Sequence, residues 1–167
     1  MNILVTYYSE TGNTEKVARA IFAQIQQPEK EISPLAEVAE VGRYDIIFCG
    51  FPIKSHSVPG KTAAFIKGLP GGKKVAFFAT HGSYRGGALA VQAFHHALSL
   101  APHLKILGTF GCRGKVPPQV LEELRDNAEH RAWVEEAQTA GNHPNEEDLQ
   151  DAGRWARTMM DKALLLP

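Results

Sequence analysis

Two patterns of apolar residues alternate along the chain. Short, almost wholly apolar runs bounded by glycine or polar residues predict strands that are buried on both faces of a parallel sheet. Between them, apolar residues recur every three or four positions, which is typical of amphipathic helices. The predicted strands are Ile3–Val5, Glu31–Leu35, Tyr44–Gly50, Lys74–Thr80 and Leu104–Phe110. The predicted helices cover 14–27, 59–67, a segment that ends near Leu100, 117–140 and the region from 144 onward.

Strands that alternate with helices predict right-handed crossovers and a sheet covered on both faces. The predicted fold class is therefore α/β, an open doubly wound five-stranded parallel sheet with an extra helical segment before the last helix. Residues 1–167 suit a single domain, since 167 residues can bury a full core. The side chains predicted to face the core from the helix ending near Leu100 and from the last helix are Leu89, Phe94, Leu98, Trp155, Met159, Leu164 and Leu165.

A polar turn joins the first strand to the first helix, with the sequence Ser9-Glu10-Thr11-Gly12-Asn13-Thr14-Glu15. Such a turn presents unpaired backbone N–H groups at the positive end of a helix dipole, and its hydroxyl groups add further donors. Gly12 permits a positive φ or a close approach of the backbone. We therefore expect an anion of phosphate size to bind here. The alternative is an ordinary turn in which Thr14 caps the helix.

The turn lacks both G-x-x-x-x-G-K-[ST] and G-x-G-x-x-G, which excludes the two commonest phosphate loops. Its arrangement S-x-T-G-N-T-E, directly after the first strand, instead resembles the phosphate-binding loop of flavodoxins. The resemblance extends by pattern over residues 1–110. It implies that this first loop (Ser9–Thr14) holds the phosphate of flavin mononucleotide (FMN), so that the cofactor contacts Ser9, Glu10, Thr11, Gly12, Asn13 and Thr14.

The same resemblance implies that two further loops flank the flavin ring. The third-strand loop (Phe51–Val58) would contribute Pro52, Ile53, Lys54 and Ser55, and the fourth-strand loop (His81–Gly87) would contribute His81, Gly82, Ser83 and Tyr84. Tyr84 is the best candidate for an aromatic that stacks on the ring, although a tyrosine in a loop can equally be a surface residue. No catalytic base is assigned.

The chain departs from typical flavodoxins in its charge and in the third-strand loop. Typical members are strongly acidic, and an aromatic and a glycine in that loop steady the one-electron-reduced flavin; here the loop reads Pro52-Ile53-Lys54-Ser55-His56 after the strand and has neither. No Asp or Glu lies between Ile46 and Leu121. We therefore expect a positive mouth to the site, which favours a negatively charged reduced flavin and attracts anionic partners. The alternative is that several of these lysines only solvate helix faces.

The extra segment 113–142 is rich in carboxylates and contains Trp133. It is predicted to form an amphipathic helix that covers the sheet edge or contacts a partner, with Trp133 more often buried than at an interface. Metal binding is not expected, because no His/Cys/Asp/Glu set has ligand spacing. Nucleic-acid binding is not expected either, because the basic stretch lacks interleaved aromatics.

Composition places the protein among ordinary globular chains, with 44% hydrophobic and 22% charged residues. Cys49 and Cys112 are expected to be reduced core thiols, and the alternative is a catalytic or redox-sensing cysteine. With no run of about 18 apolar residues and no apolar leader after Met1, we expect no membrane span and a cytoplasmic location.

Three functions follow as hypotheses. The first is an FMN-binding electron-transfer protein that passes electrons between a reductase and a dedicated acceptor enzyme. The second is an FMN-dependent NAD(P)H oxidoreductase that acts on an anionic small molecule. The third is a non-redox binding module on a flavodoxin-like fold.

Overall fold

The structure is a computed structural model that describes residues 1–166. It contains a five-stranded parallel sheet and helices on both of its faces. The strands are β1 (Ile3–Tyr7), β2 (Lys30–Pro34), β3 (Ile46–Pro52), β4 (Lys74–His81) and β5 (Lys105–Arg113). The helices are α1 (Asn13–Gln24), α2 (Gly60–Gly68), α3 (Ala88–Ser99), α4 (Pro118–Arg125), α5 (Arg131–Gln138) and α6 (Glu146–Leu165).

The strand order is β2-β1-β3-β4-β5, and all pairs are parallel. After β1 the chain turns to one side for β2 and then crosses to the other side for β3. Ligands of open parallel sheets bind beyond the carboxyl ends of the strands at such a switch point. The topology therefore directs attention to the loops that follow β1, β3 and β4.

The two faces of the sheet bury separate apolar clusters. One face packs against α1 and α6 around Phe48 and Phe78, and the other packs against α2 and α3 around Phe51 and Phe77. Gly50 is required in β3, because a Cβ there would lie 2.1 Å from the Phe78 ring. This dense packing makes the sheet a rigid base for its loops.

The predicted fold class is confirmed, and so are the five strands, with β2 as a short edge strand. Three predicted core residues are wrong, because Leu98, Leu164 and Leu165 are 37%, 65% and 84% exposed. Helix α3 packs through alanines, which brings it close to the sheet and leaves Leu98 to one side. In the last turn of α6, Ala163 faces the core and is 2% exposed, so Leu164 and Leu165 lie on the solvent side of the helix.

The extra segment 113–142 forms two short helices, α4 and α5, where the sequence suggested one helical stretch. They bury a small cluster of their own, with Leu121, Val134 and Ala137 at its centre and Trp133 partly buried. We call residues 118–138 the α4–α5 hairpin. No helix within residues 1–166 is long and apolar enough to cross a membrane.

Candidate cofactor site

The first loop forms the predicted turn at the carboxyl end of β1. Gly12 has φ 88° and is the residue from which α1 starts, and no side chain caps that helix. Ser9 Oγ accepts a hydrogen bond from the Gly12 N–H at 3.1 Å, which closes the bend. A Cβ built at Gly12 would meet no atom within 4 Å, so the space beside it is open. First-turn N–H groups of α1 are therefore available to an anion.

Thr14 does not cap α1, because it lies inside the first turn of the helix. Its hydroxyl is buried and lies 2.9 Å from the hydroxyl of Thr80, at the end of β4. The carbonyl of Thr80 also accepts the Ile53 N–H at 2.9 Å. Thr80 thus joins the first loop, the third-strand loop and the fourth-strand loop at one point.

The third-strand loop contains a two-residue turn at Ser55 and His56. Both have positive φ, 46° and 61°, and the flanking residues Lys54 and Ser57 exchange backbone hydrogen bonds. Positive φ at both central residues defines a type I′ turn, which rarely lacks Gly, Asn or Asp. Nδ1 of His96 in α3 accepts from the Ser57 hydroxyl at 2.6 Å and from a neighbouring backbone N–H. A histidine from another element therefore holds the turn.

Charged side chains connect the first loop to the third-strand loop. Lys54 forms an ion pair with Glu10, which also accepts a hydrogen bond from the Tyr8 hydroxyl. Two hydrogen bonds lower the pKa of Glu10, and the one from Lys54 has a larger effect than the one from Tyr8. The charges of two predicted site residues, Glu10 and Lys54, thus compensate each other.

The fourth-strand loop begins with three buried residues, His81, Gly82 and Ser83. Nδ1 of His81 donates to the Ser83 carbonyl at 2.9 Å, and within residues 1–166 its buried Nε2 has no hydrogen-bond partner. Burial lowers the pKa of His81, which favours a neutral imidazole. The histidine supports the loop from inside, next to Gly111 of β5.

Tyr84, by contrast, is 56% exposed. The Arg113 guanidinium lies over one face of its ring, 4.7 Å from the centroid. The Tyr84 N–H donates to the Glu136 carboxylate of the α4–α5 hairpin. The hairpin also covers Gly82, where a Cβ would lie 3.1 Å from Ala137 and 3.3 Å from Trp133, and only 2.6 Å from Val116 just before the hairpin. The extra segment thus packs directly on the fourth-strand loop.

A polar cavity of about 400 Å³ opens beside the first loop, between the start of α1 and the turn before α6. The charged and polar residues that line it are Thr11, Asn13, Lys16, Lys115, Asn142 and His143. The Asn13 amide donates to the Lys115 carbonyl at 2.9 Å, which joins the two walls.

Fewer basic side chains lie near the three loops than the acid-free stretch of sequence suggested. Lys73 and Lys74 lie at the amino end of β4, where their ammonium groups donate to backbone carbonyls. Arg85 pairs with Asp151 of α6 at 2.5 Å. The cations near the three loops that have no ion pair in residues 1–166 include Arg113, the two cavity lysines and Lys61, whose ammonium lies 5.8 Å from the centroid of the Tyr8 ring.

The structure brings together the three loops predicted from the sequence. The residues that hold these loops in place, Thr80, His96, Arg113 and Glu136, were not predicted as part of the site. Thr80 is only the end of an apolar run in the sequence, and the other three lie in other elements, so no local motif identifies them. Cys49 and Cys112 are buried free thiols, and burial raises the pKa of both to about 12. No group of residues suited to a metal ion occurs in residues 1–166.

The arrangement fits FMN on structural grounds. The uncapped start of α1, with open space at Gly12, suits a phosphate, and the two other loops rise beside it from neighbouring strands. Fold and site together define a flavodoxin-like α/β protein.

Comparison with known proteins supports this class. The family model of the flavodoxin domain matches residues 4–157, and the chain therefore belongs to that family. The curated protein BilS of Clostridioides difficile, a flavodoxin-like domain-containing protein, is 30% identical over 99% of this chain and 100% of its own length. The prediction of a flavodoxin-like, FMN-binding family is thus confirmed.

Solved structures share the fold at lower identity. Oxidised flavodoxin 2 of Bacillus cereus is 19% identical with a TM-score of 0.60, over 97% of this chain and 99% of its own. A Lactobacillus acidophilus flavoprotein in complex with FMN is also 19% identical, with a TM-score of 0.53 over 66% of this chain and 92% of its own.

Proposed function

We propose that this protein binds FMN at the carboxyl edge of the sheet and passes electrons between a reductase and a dedicated acceptor enzyme. The observation that carries the proposal is the junction at Thr80. Its hydroxyl contacts Thr14 and its carbonyl accepts the Ile53 N–H, so one residue fixes the spacing of all three loops. A site whose three walls are held to each other is preorganised for one ligand.

Each loop has a distinct role in the proposal. The first loop, Ser9 to Thr14, binds the phosphate through the hydroxyls of Ser9 and Thr11 and the free N–H groups at the start of α1, while the buried Thr14 hydroxyl is hydrogen-bonded to Thr80. The third-strand loop, with Pro52, Ile53, Lys54 and Ser55, borders one side of the ring. The fourth-strand loop, with His81, Gly82, Ser83 and Tyr84, borders the other side. Bound FMN supplies the redox chemistry, and the chain binds and orients it.

An absorption spectrum tests the proposal directly. The purified protein is mixed with FMN, freed of excess cofactor, scanned from about 300 to 700 nm and then reduced slowly. We expect a retained, structured flavin band. Loss of all flavin on removal of the excess would contradict both redox functions and leave the binding module.

The second candidate, an FMN-dependent NAD(P)H oxidoreductase, draws on the cavity beside the first loop. Lys16 and Lys115 lie on its wall without an ion pair in residues 1–166, an environment that suits an anionic small molecule. Turnover of NADPH by the FMN-loaded protein alone would favour this candidate. Reduction that requires an added partner protein would favour the electron carrier. The cytoplasmic location stays a prediction.

A further inference from the structure

Arg113 joins the fourth-strand loop to the α4–α5 hairpin. It ends β5, and its Nη2 donates to the carbonyls of Gly82 at 3.3 Å and Glu136 at 2.9 Å. The same nitrogen donates at 2.7 Å to the hydroxyl of Thr139, which in turn donates to the Glu136 carbonyl. One planar guanidinium therefore binds the sheet, the loop and the hairpin together.

The same group also fixes Tyr84. Its Cζ lies 4.7 Å from the centroid of the Tyr84 ring, within the range of a cation–π contact. The backbone N–H of Tyr84 donates to the Glu136 carboxylate, so ring and backbone are both held from the hairpin side. Because Tyr84 is 56% exposed, its exposed surface is free to contact a ligand.

A second arginine–tyrosine pair differs from the pair of Arg113 and Tyr84 in the charge of its surroundings. At the opposite end of the sheet, Arg43 lies 4.8 Å over the ring of Tyr44. That guanidinium donates to the carboxylate of Glu31 at 2.5 Å, so its charge is compensated. The acceptors of Arg113 are instead neutral carbonyls and a hydroxyl. Within residues 1–166 Arg113 thus has no carboxylate at ion-pair distance, and the nearby Glu136 carboxylate accepts from the Tyr84 N–H instead.

We propose that Arg113 is a positioning residue: supported by the α4–α5 hairpin, it presents Tyr84 and its own positive charge to the FMN. This inference rests on the proposed function and extends it. In this proposal the function of the hairpin is to hold the fourth-strand loop in its binding conformation. Arg113 also provides a specific source for the positive potential that favours the more negative, reduced form of the cofactor.

The test uses the FMN-loaded full chain with the variants Arg113→Met, Arg113→Lys and Tyr84→Ala, the double variant of Arg113→Met with Tyr84→Ala, and Arg43→Met as the matched control. Flavin fluorescence gives the Kd for FMN, and a redox titration at saturating FMN gives the midpoint potential. We expect Arg113→Met to weaken FMN about tenfold and to make the midpoint potential more negative. Arg113→Lys keeps the charge and should restore most of the potential but not the affinity, because an ammonium lacks the planar fork. Arg43→Met should change neither quantity.

The double variant tests whether Arg113 acts through Tyr84. If it does, the double variant loses less affinity than the sum of the two single losses. Fully additive losses, an unchanged potential in Arg113→Met, or an equal effect of Arg43→Met would each overturn the proposal. If Arg113→Met does not fold by circular dichroism, Arg113→Lys and Thr139→Val carry the same test of affinity. A wild-type protein that retains no FMN overturns the proposed function and this proposal together, whereas retention with unresponsive variants overturns this proposal alone.

Discussion

The first loop and the fourth-strand loop border the same candidate site, yet they are built in different ways. At Gly12 the first loop is open, with no atom within 4 Å of a built Cβ, and its bend is closed by Ser9, three residues away. At Gly82 the fourth-strand loop is packed against Val116, Ala137 and Trp133 of a later segment. At its glycine the first loop is thus shaped by its own sequence, whereas the fourth-strand loop is shaped there by distant parts of the chain.

This difference separates two reasons for a glycine in a binding loop. Gly12 is needed for its backbone conformation, since φ 88° is unfavourable for residues with a Cβ. Gly82 is needed for space, because a Cβ would lie 2.6 Å from Val116 and 3.1 Å from Ala137. Substitutions that change either the preferred backbone conformation or the side-chain volume at these two glycines therefore test the comparison.

The largest expected effect is that of Gly82→Ala on stability. The added methyl group must displace Val116 and Ala137, and overpacking of this kind costs about 3 kcal/mol of unfolding free energy. Urea unfolding, followed by circular dichroism, measures it. A loss below about 0.5 kcal/mol would mean that the α4–α5 hairpin does not pack firmly on this loop.

Thr11→Ala should act on the ligand instead of the fold. Thr11 is an exposed residue of the first loop, so its removal leaves the core unchanged. Loss of one hydrogen bond to a phosphate weakens FMN by about 2 kcal/mol, which a flavin fluorescence titration measures. The matched control is Thr158→Ala on the exposed surface of α6, which should leave FMN affinity unchanged. Equal affinity in the two variants would contradict the assignment of the first loop.

The two loops also differ in how far the sequence predicted them. The residues from Ser9 to Thr14 lie between a recognisable strand and helix, so local periodicity and turn chemistry were enough to place them. The arrangement of the fourth-strand loop depends on Arg113 and Glu136, which are 31 and 52 positions from their acceptor or donor in that loop. Such contacts arise only when β5 and the hairpin are already in place, and single-sequence patterns contain no information about that pairing.

The prediction of which α3 residues are buried was wrong for a related reason. Apolar spacing marked Leu98 as a core residue, but α3 packs through Ala90, Ala93 and Ala97. A face of alanines allows a closer approach to the sheet than a leucine does, and tertiary packing selected it. The alternation of strands and helices was nonetheless sufficient to predict the order of the elements, because it depends on many residues at once.

The next effect in size is that of Gly12. Gly12→Ala should cost about 1 kcal/mol of stability, because alanine is strained at positive φ even where space is open. Gly12→Asn should recover most of that loss, since asparagine tolerates the left-handed region better. At Gly82 the same pair should behave in the opposite way, with asparagine worse than alanine because it is larger. Urea unfolding of the four variants decides, and a Gly12→Asn protein less stable than Gly12→Ala would contradict the conformational explanation.

The smallest expected effect concerns the ion pair between Glu10 and Lys54, which connects the first loop to the third-strand loop. Both side chains are about half exposed, so the pair is worth about 0.5 kcal/mol at neutral pH. The pKa of Glu10 lies below its ordinary value near 4.5, chiefly because Lys54 donates to it, with further help from the Tyr8 hydroxyl and the charge of Lys61. A carboxylate with a lowered pKa stabilises the folded state above the ordinary value, and that contribution is lost as the pH falls through the folded value. Lys54→Met should therefore reduce the unfolding free energy at pH 7, and this loss should shrink as the pH falls through the lowered pKa of Glu10 toward about pH 2. An equal loss at both pH values would show that Lys54 supports the loop through its aliphatic chain, and that the first loop, like the fourth-strand loop, depends on packing.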